Sequence, residues 1–496
     1  MLFNSFPFIF AFLPITMLGY ELLRRHASRR STHIWLIAAS CVFYAYWNAA
    51  FLALLFVSIV VNFGIGRTLQ TLANTRDARA RALLIVGLLW NLGLLGYFKY
   101  ANFFVDNLDA ALGAHFQIAH IVLPIGISFF TFQKVAFLVD SYTNNVERHG
   151  FVDFCLFVMF FPQLIAGPIV HFSEVIPQFS RASIPPAVDR FAIGITVFAM
   201  GLAKKVIVAD TFAVPASAVF DATAGGYAPT FAEAWLGTLC YALQIYFDFS
   251  GYSDMAVGLG WMFGVRLPIN FASPYKARSI AEFWQRWHIT LSRFLRDYLY
   301  IPLGGNRRGY MRQRVNLMIT MLLGGIWHGA AWTFLLWGAL HGAMLVVHRT
   351  WERSKYGASH TLPVAAACCL TLICVVLAWV PFRAADFAAT FEMYAGLFGL
   401  NGFTMAHTSV SIDSPDSIVS FVVVALVAVL RLPNTYEWLG SASPGLPSQG
   451  YPATFVIAPE RFVWQPDRRH GAAFALLLFV CFVKLNDVSP FIYFQF

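Results

Sequence analysis

Long, continuous apolar runs separated by short polar segments dominate the chain. The runs do not alternate apolar with polar residues, so they predict membrane helices and not the strands of an outer-membrane barrel. They cover residues 3–23, 33–66 (two helices split near Trp47), 83–98, 121–139, 151–172, 191–208, 234–249, 255–265, 315–327, 331–347, 362–380, 418–430 and 472–483. Several are shorter than the roughly 20 residues that a span needs, which favours half-helices and re-entrant segments around an internal cavity.

Composition supports the same class. The chain is 58% hydrophobic and 12% charged, with a mean hydropathy of +0.64, whereas soluble domains are roughly 25% charged. Its 496 residues leave room for roughly ten to twelve spans and little else. We therefore predict an all-α polytopic membrane protein, with one membrane-embedded domain over 1–496 and core motifs at about 120–345. The C-terminal helices and the proline-rich segment 431–470 should be peripheral, the latter as an irregular surface loop.

Orientation follows from the basic residues in the short loops. Residues 3–23 have neither a basic n-region nor a cleavage site, so we expect a retained helix. Arginines follow this helix and also the pair over 33–66, and the positive-inside rule places both clusters in the cytosol and the amino terminus outside. The clusters are Arg24, Arg25, Arg29 and Arg30, and Arg67, Arg76, Arg79 and Arg81. Pro162 and Pro168 interrupt the run 151–172, which should dip into the membrane and return.

All seven cysteines lie in apolar runs, and none has zinc-ligand spacing with a histidine. We interpret them as packing residues and expect no disulfide and no metal site.

Two histidines stand within strongly apolar sequence. His288 ends the sequence Phe-Trp-Gln-Arg-Trp-His, and His328 lies in Gly-Gly-Ile-Trp-His-Gly. An imidazole near lipid is costly unless it faces a polar cavity, so the pair indicates a buried reaction site. The glycines around His328 allow close approach of a backbone or a substrate, and Gly325 with Gly329 forms a small-xxx-small pattern for helix contact. Packing explains the glycines but not the imidazole, which makes His328 the stronger catalytic candidate.

Helical spacing over residues 279–300 predicts a single helix with two polar stripes. The stripes consist of Gln285, His288 and Ser292, and of Arg286, Arg293 and Asp297. A polar stripe on an otherwise aromatic helix should line a cavity. The alternative for His288 is a structural histidine bonded to a backbone carbonyl.

Three further residues are candidates for supporting roles. His341 lies 13 positions after His328, about 220° around an ideal helix, so we predict that the two do not share a face. Gln244 and Asp248 are four residues apart on one helix face, and Asp248 lies between aromatic residues where an unpaired carboxylate is expensive. We expect Asp248 to bond an arginine or histidine of the block that follows, in a structural or orienting role.

Positive charge is concentrated next to the histidines. Residues 266–314 hold ten basic and two acidic residues, a net +8 out of +9 for the whole chain. Orientation in the membrane can explain any single arginine. A block this dense, interleaved with Trp and Tyr, also fits a cytosolic mouth for a multiply phosphorylated ligand, because Arg pairs bidentately with phosphate.

Several ordered motifs resemble the membrane-bound O-acyltransferase (MBOAT) family, and most closely its bacterial alginate O-acetylation branch. They are Leu-Pro-Ile-Gly-Ile-Ser-Phe-Phe at 123–130, the run 246–258, Glu-Phe-Trp through Trp-His at 282–288, Arg-Asp-Tyr-Leu-Tyr at 296–300, Leu-Gly-Gly-Asn-Arg at 303–307 and Gly-Ile-Trp-His-Gly at 325–329. The similarity extends from residue 2 to about 383. It implies a helical bundle around a central tunnel, which takes an acyl group from a cytosolic donor and delivers it at the outer face.

The resemblance assigns roles to a few residues. The family's active-site histidine matches His328 and its second motif histidine matches His288, while a Lys-Lys pair and an Asp of the alginate branch match Lys204, Lys205 and Asp210. It also implies acetyl-CoA as donor substrate with no bound cofactor, the bacterial inner membrane as location, and periplasmic acetyltransferase proteins as partners. The segments 170–172 and 431–470 depart from the alginate protein, so the polysaccharide stays open among alginate, cellulose and other exopolysaccharides.

The chemistry agrees with these residues. Moving acetyl from a thioester to a hydroxyl needs a base, and imidazole titrates in the right range. The chain has no Gly-x-Ser-x-Gly elbow, which favours direct or relayed transfer with His328 as base and His288 orienting the donor or sharing the proton. The expected holders of the coenzyme A phosphates are Arg307, Arg308, Lys276 and Arg278.

Other classes remain open. We expect membrane lipids and no nucleic acid as partners. A polysaccharide or lipid transporter or flippase would have similar half-helices but would need no indispensable histidine. An MBOAT protein for D-alanylation or protein acylation would keep the histidines and change the donor.

Overall fold

A computed structural model describes residues 1–72, 78–113, 120–179, 186–359, 362–403, 415–442, 445–446, 464–485 and 491–492. These residues contain helices and no strand, and Pro268 and Leu446 form an isolated bridge. The predicted all-α class is confirmed. The helices are α1 (Pro7–His26), α2 (Arg29–Ala45), α3 (Ala50–Leu72), α4 (Ala78–Leu112), α5 (Ile127–Tyr142), α6 (Phe151–Met159), α7 (Phe161–Leu164), α8 (Phe172–Val175), α9 (Ala187–Ala224), α10 (Phe231–Met262), α11 (Ile280–Arg286), α12 (Ile289–Leu295), α13 (Tyr310–His328), α14 (Trp332–Arg353), α15 (Lys355–Ser359), α16 (Val364–Arg383), α17 (Phe387–Leu397), α18 (Pro415–Arg431), α19 (Thr435–Leu439) and α20 (Arg468–Lys484).

Within the described ranges, five helices are long and apolar enough to cross a membrane: α1, α3, α4, α9 and α16. Their outer surfaces expose large apolar side chains, such as Leu18 on α1, Val60 on α3 and Leu89 on α4. Soluble proteins rarely expose apolar surface of this extent to water. The chain is therefore a membrane protein. The runs 234–249 and 255–265, which we expected to be separate short segments, form the single helix α10, because the intervening residues 250–254 are buried and helical.

Helices α9 and α10 pack closely and antiparallel at the centre of the fold. Gly194 and Gly201 of α9 face Gly258 and Gly251 of α10, and a Cβ at any of the four would lie within 2.8 Å of a backbone atom across the contact. Glycine is required here because only a hydrogen lets the two backbones approach this closely. The contact fixes the register of α10, which carries Asp248 and Asp254.

The run 151–172 enters the membrane domain and returns, as predicted. Helix α6 ends at Met159, and the next residue, Phe160, leaves the helical conformation before Pro162. The ring centroid of Phe172, the last residue of the segment, lies 4.2 Å from that of His149, which precedes the segment. Both ends of the segment therefore lie on the same side of the protein.

The first part of the segment 431–470 contains a helix, so our expectation of an irregular surface loop is wrong there. Helix α19 begins with an Asn434 side chain that accepts from two backbone N–H groups, which satisfies groups that a helix start leaves unbonded. Thr435 and Tyr436 are buried and donate to the two carboxylate oxygens of Asp254 at 2.7 and 2.8 Å. Residues 443–444 and 447–463 lie outside the described ranges.

Candidate active site

His328 is the last residue of α13 and is 3% exposed. Gly325, one turn earlier, lies against α14: a Cβ there would be 2.3 Å from the carbonyl oxygen of Phe334 and 3.2 Å from Gly338. The predicted close helix contact forms at Gly325, opposite Gly338, but the predicted pairing of Gly325 with Gly329 on one helix is wrong. Gly329 lies beyond the helix end, where a Cβ would collide with the Phe334 ring. The glycines let α13 and α14 meet tightly just where the imidazole emerges.

A cavity of about 610 Å³ reaches His328. Its wall includes Tyr46 and Trp47 from the α2–α3 connection, residues 123–129, and Lys99 of α4. The α2–α3 connection lies on the face that the charge pattern predicts to be outside. A volume of this size falls within the range for small-ligand sites, and His328 is one of the residues that line it.

His288 is not inside a helix, and our prediction of one helix over 279–300 is wrong. The backbone of His288 has φ 42° and ψ 54°, a left-handed conformation that separates α11 from α12. The stretch after α12, Arg296–Tyr300, is a π-helical turn. Gln285, His288 and Ser292 therefore do not form one continuous stripe. A non-glycine residue adopts this conformation only when its surroundings hold it there.

Asn270 stabilises the break between α11 and α12 through hydrogen bonds. Its carbonyl oxygen accepts from the Ile289 N–H at 3.0 Å, and its side-chain Oδ1 accepts from the Thr290 N–H at 3.2 Å and the Thr290 hydroxyl at 3.0 Å. The His288 Nδ1 lies 3.1 Å from the same Oδ1. Because the Thr290 N–H can only donate, the Asn270 side-chain atom that it contacts must be the acceptor oxygen. The His288 Nδ1 that also contacts this oxygen must therefore carry a proton. The neutral His288 ring then has its lone pair on Nε2.

The three histidines converge on shared tryptophans. The centroid of the Trp327 ring lies 4.9 Å from that of His328 and 6.1 Å from that of His288. Trp337 lies 4.9 Å from His328 and 4.7 Å from His341. Our prediction that His328 and His341 are on different faces of a helix is wrong, because the chain breaks at 329–331 and His341 belongs to α14.

His341 is enclosed by aromatic rings. It is 0% exposed and lies beside Trp284, Phe283 and Trp379 as well as Trp337. Among the described residues neither of its ring nitrogens has a hydrogen-bond partner, and the indole N–H groups of Trp284 and Trp337 share this property. Buried polar groups without partners are uncommon in native proteins and point to water or a ligand at the site.

Asp248 forms a buried ion pair with Lys205. The Lys205 Nζ lies 2.7 Å from Asp248 Oδ1 and 2.9 Å from Asp210, and the backbone N–H of Ile492 donates to the second Asp248 oxygen. The partner precedes Asp248 in the chain, so our expectation of an arginine or histidine from the following block is wrong. Gln244, one turn earlier on α10, has a buried Oε1 with no hydrogen bond to the described part of the chain.

Lys204 makes a second pair beside the first. Its Nζ lies 2.6 Å from Asp254 Oδ2 and 2.8 Å from the Thr435 hydroxyl. Lys204 and Lys205 begin the π-helical turn of α9, whose wider spacing directs the two ammonium groups to carboxylates six residues apart on α10. This network joins α9, α10, α19 and Ile492, and none of the contacts just described includes a histidine.

The basic block divides into paired and unpaired residues. Lys276 donates to the Leu432 carbonyl at 2.7 Å and lies 3.8 Å from Glu437, and Arg278 pairs with Glu282. Partial burial alone would raise the pKa of the Glu282 carboxyl, but hydrogen bonds from Arg278 and Arg286 lower it overall. Asp297 pairs with the neighbouring Arg296 at 2.7 Å.

Three exposed arginines are close to one another in the chain. Arg307, Arg308 and Arg312 are exposed around the start of α13, and within the described chain no carboxylate pairs with them. These three arginines are exposed and are therefore candidates to bind an anion.

Two residues with contacts to the histidines were missed by sequence reasoning. Asn270, described above, gave no periodic signal. Lys99 of α4 donates to the carbonyl oxygens of Trp327 and His328. A lysine within an apolar span is a recognisable signal, but the apolar run that we assigned ends at residue 98, directly before it.

Comparisons with known proteins agree with the motifs. The model of the MBOAT, membrane-bound O-acyltransferase family matches residues 81–355. A peptidoglycan O-acetyltransferase of Helicobacter pylori is 45% identical over 82% of each chain. A probable alginate O-acetylase of Pseudomonas aeruginosa is 38% identical over the full length of both. A teichoic acid D-alanyltransferase of Streptococcus thermophilus is 29% identical over 47% of this chain and 58% of its own. The chain therefore belongs to the membrane-bound O-acyltransferase family and is an O-acyltransferase of the membrane.

Proposed function

We propose that this protein moves acetyl groups from cytosolic acetyl-CoA across the bacterial inner membrane for O-acetylation of an exopolysaccharide. The observation that carries the proposal is the position of His328, which lines a cavity whose wall also includes Tyr46 and Trp47 of the predicted outer face. A base at that point can accept the proton of a hydroxyl group arriving from outside, while the thioester arrives from the cytosol. The family membership supports the acyl transfer itself.

The reaction balances with one histidine as base. His328 takes the proton of the acceptor hydroxyl, and the oxygen forms an ester bond with the thioester carbonyl carbon. The carbon–sulfur bond then breaks, and the proton passes to the leaving thiolate. General base catalysis of this kind contributes about 10²- to 10⁴-fold in rate.

His288 and His341 would assist from either side. The Nδ1–H of His288 is bound to Asn270, so Nε2 is the atom that can accept a hydrogen bond from the donor or share the proton. The unpartnered nitrogens of His341 and its neighbouring tryptophans suit the amide groups of a pantetheine arm. The unpaired Arg307 and Arg308 would hold the phosphates of coenzyme A.

The acceptor is proposed from the relatives' names. One relative is named for peptidoglycan and others for alginate, so a carbohydrate polymer outside the cytosol fits both. Alginate, cellulose and other exopolysaccharides all present the same hydroxyl chemistry. Most of the described chain lies in helices and short connections, and we propose that a periplasmic acetyltransferase partner passes the acetyl group on to the polymer.

Reconstituted vesicles test the donor and the relay together. The purified chain is placed in proteoliposomes with radiolabelled acetyl-CoA on one side and deacetylated alginate or cellulose oligomers on the other. We expect label to reach the polymer only when a periplasmic extract is added. Labelling of polymer without the extract would overturn the relay and keep the acetyltransferase. The chain is also similar over part of its length to a D-alanyltransferase. Transfer from a D-alanyl donor, with no transfer from acetyl-CoA, would overturn the acetyl assignment.

A further inference from the structure

The helix that ends in His328 lacks the usual backbone cap. The last four carbonyl groups of an α-helix have no partner inside the helix, and many helices satisfy them through a left-handed glycine just after the end. Here Gly329 is extended, with φ −163° and ψ 156°. The carbonyl groups at the end of α13 therefore need donors from elsewhere.

Two consecutive residues of α4 supply those donors. The Lys99 Nζ donates to the Trp327 carbonyl at 2.5 Å and to the His328 carbonyl at 3.0 Å. The Tyr100 hydroxyl donates to the Ile326 carbonyl at 2.7 Å. Three successive carbonyl groups are thus satisfied by side chains of another helix. A cation is well suited to this place, since the helix dipole concentrates partial negative charge at the C-terminus.

Lys99 also faces the reaction cavity. It is 9% exposed, lines the cavity beside His328, and lies 3.5 Å from the Ser128 hydroxyl. No carboxylate in the described part of the chain pairs with it. A buried ammonium in a membrane protein without an acidic partner is costly to maintain and typically serves function.

We propose that Lys99 is a positioning residue for acyl transfer, a role that rests on the proposed function of His328. Its ammonium fixes the final turn of α13 and thereby aims the His328 imidazole into the cavity. Without it, the last turn is free to fray, and displacement of a catalytic group by about 1 Å can cost about 100-fold in rate. The expected change is therefore in kcat, since Lys99 binds the last turn of α13 whereas the arginines proposed to bind the donor precede its first residue.

The test compares two buried lysines. Lys134 of α5 is 0% exposed; its Nζ donates to the Ser58 hydroxyl at 2.6 Å and lies 4.1 Å from the centroid of the Phe130 ring, and neither partner belongs to α13. Lys99→Met and Lys134→Met each remove one buried ammonium. Inside-out membrane vesicles from a polymer-producing strain receive radiolabelled acetyl-CoA, and the rate is normalised to the amount of folded protein.

We expect Lys99→Met to lower kcat about 10- to 100-fold at an unchanged KM for acetyl-CoA. Lys99→Arg, which keeps the charge and the donors, should recover a large part of the rate, and Lys134→Met should change abundance but not kcat. Wild-type kcat in folded Lys99→Met, or an equal loss of kcat in Lys134→Met, would overturn the proposal. If Lys99→Met does not fold, Lys99→Arg decides: a rate as low as that of His328→Ala contradicts the role. Failure of wild-type vesicles to use acetyl-CoA would instead contradict the proposed function.

Discussion

Replacing Lys205 by Met should destabilise the fold much more than replacing Asp248 by Asn. Lys205 and Asp248 are each 2% exposed, and Lys205 also pairs with Asp210. Lys205→Met leaves two carboxylates without their cation, and breaking a buried pair from one side costs about 3–5 kcal/mol. Asp248→Asn leaves Lys205 with Asp210 at 2.9 Å and keeps an oxygen for the Ile492 N–H. Its cost should be about 1–2 kcal/mol, the range for a weakened buried hydrogen bond.

The assay is unfolding by SDS titration in mixed micelles, followed by tryptophan fluorescence. The double variant Lys205→Met/Asp248→Asn should be more stable than the sum of the single effects predicts, with a coupling of about 1–3 kcal/mol. Acyl transfer per folded molecule should stay near wild type in Asp248→Asn, because none of the hydrogen bonds and ion pairs described for Asp248 includes a histidine. Equal stability losses in the two single variants, or a lost activity in a fully stable Asp248→Asn, would refute the reasoning.

Three further outcomes are expected. Asn270→Ala removes the acceptor that holds His288, so it should lower stability by about 2–4 kcal/mol and lower kcat in the protein that still folds, measured by the vesicle assay. Gly338→Leu should prevent accumulation of folded protein, because even a Cβ there would lie 2.4 Å from a carbonyl oxygen of α13; normal abundance on size exclusion in detergent would contradict the close contact. Replacing Arg307 and Arg308 together by Gln should raise the KM for acetyl-CoA with little change in kcat, since phosphate contacts bind ground and transition states alike. Added salt should shift the wild-type KM in the same direction.

Hydropathy and motifs were sufficient for the class and for the re-entrant segment 151–172. These features depend on local composition and on prolines that interrupt a helix. The break at His288 was not predictable in the same way. Periodicity favours a continuous helix through that position, and the left-handed conformation is imposed by Asn270, which lies 18 residues earlier.

Contacts between residues far apart in the chain were the second feature that the sequence did not predict. The sequence indicated that Asp248 needs a basic partner, but the basic residues that follow it most closely in the chain do not pair with it. Its partner Lys205 is brought close by the glycine contact between α9 and α10. Likewise, the prediction for His328 and His341 assumed one continuous helix. The helix ends at His328, so the two histidines lie on different helices.

Acetylation of the secreted polymer in cells that carry His328→Ala tests the central claim most directly. His348→Ala is the matched control, because His348 lies on α14 and pairs with Glu352 at 3.3 Å. Both variants are quantified in the membrane, and ester-linked acetate is released from the polymer by mild base. We predict that His328→Ala lowers the acetyl content at least about 100-fold at normal protein abundance, while His348→Ala stays near wild type. A stable His328→Ala protein with a normally acetylated polymer would contradict the account.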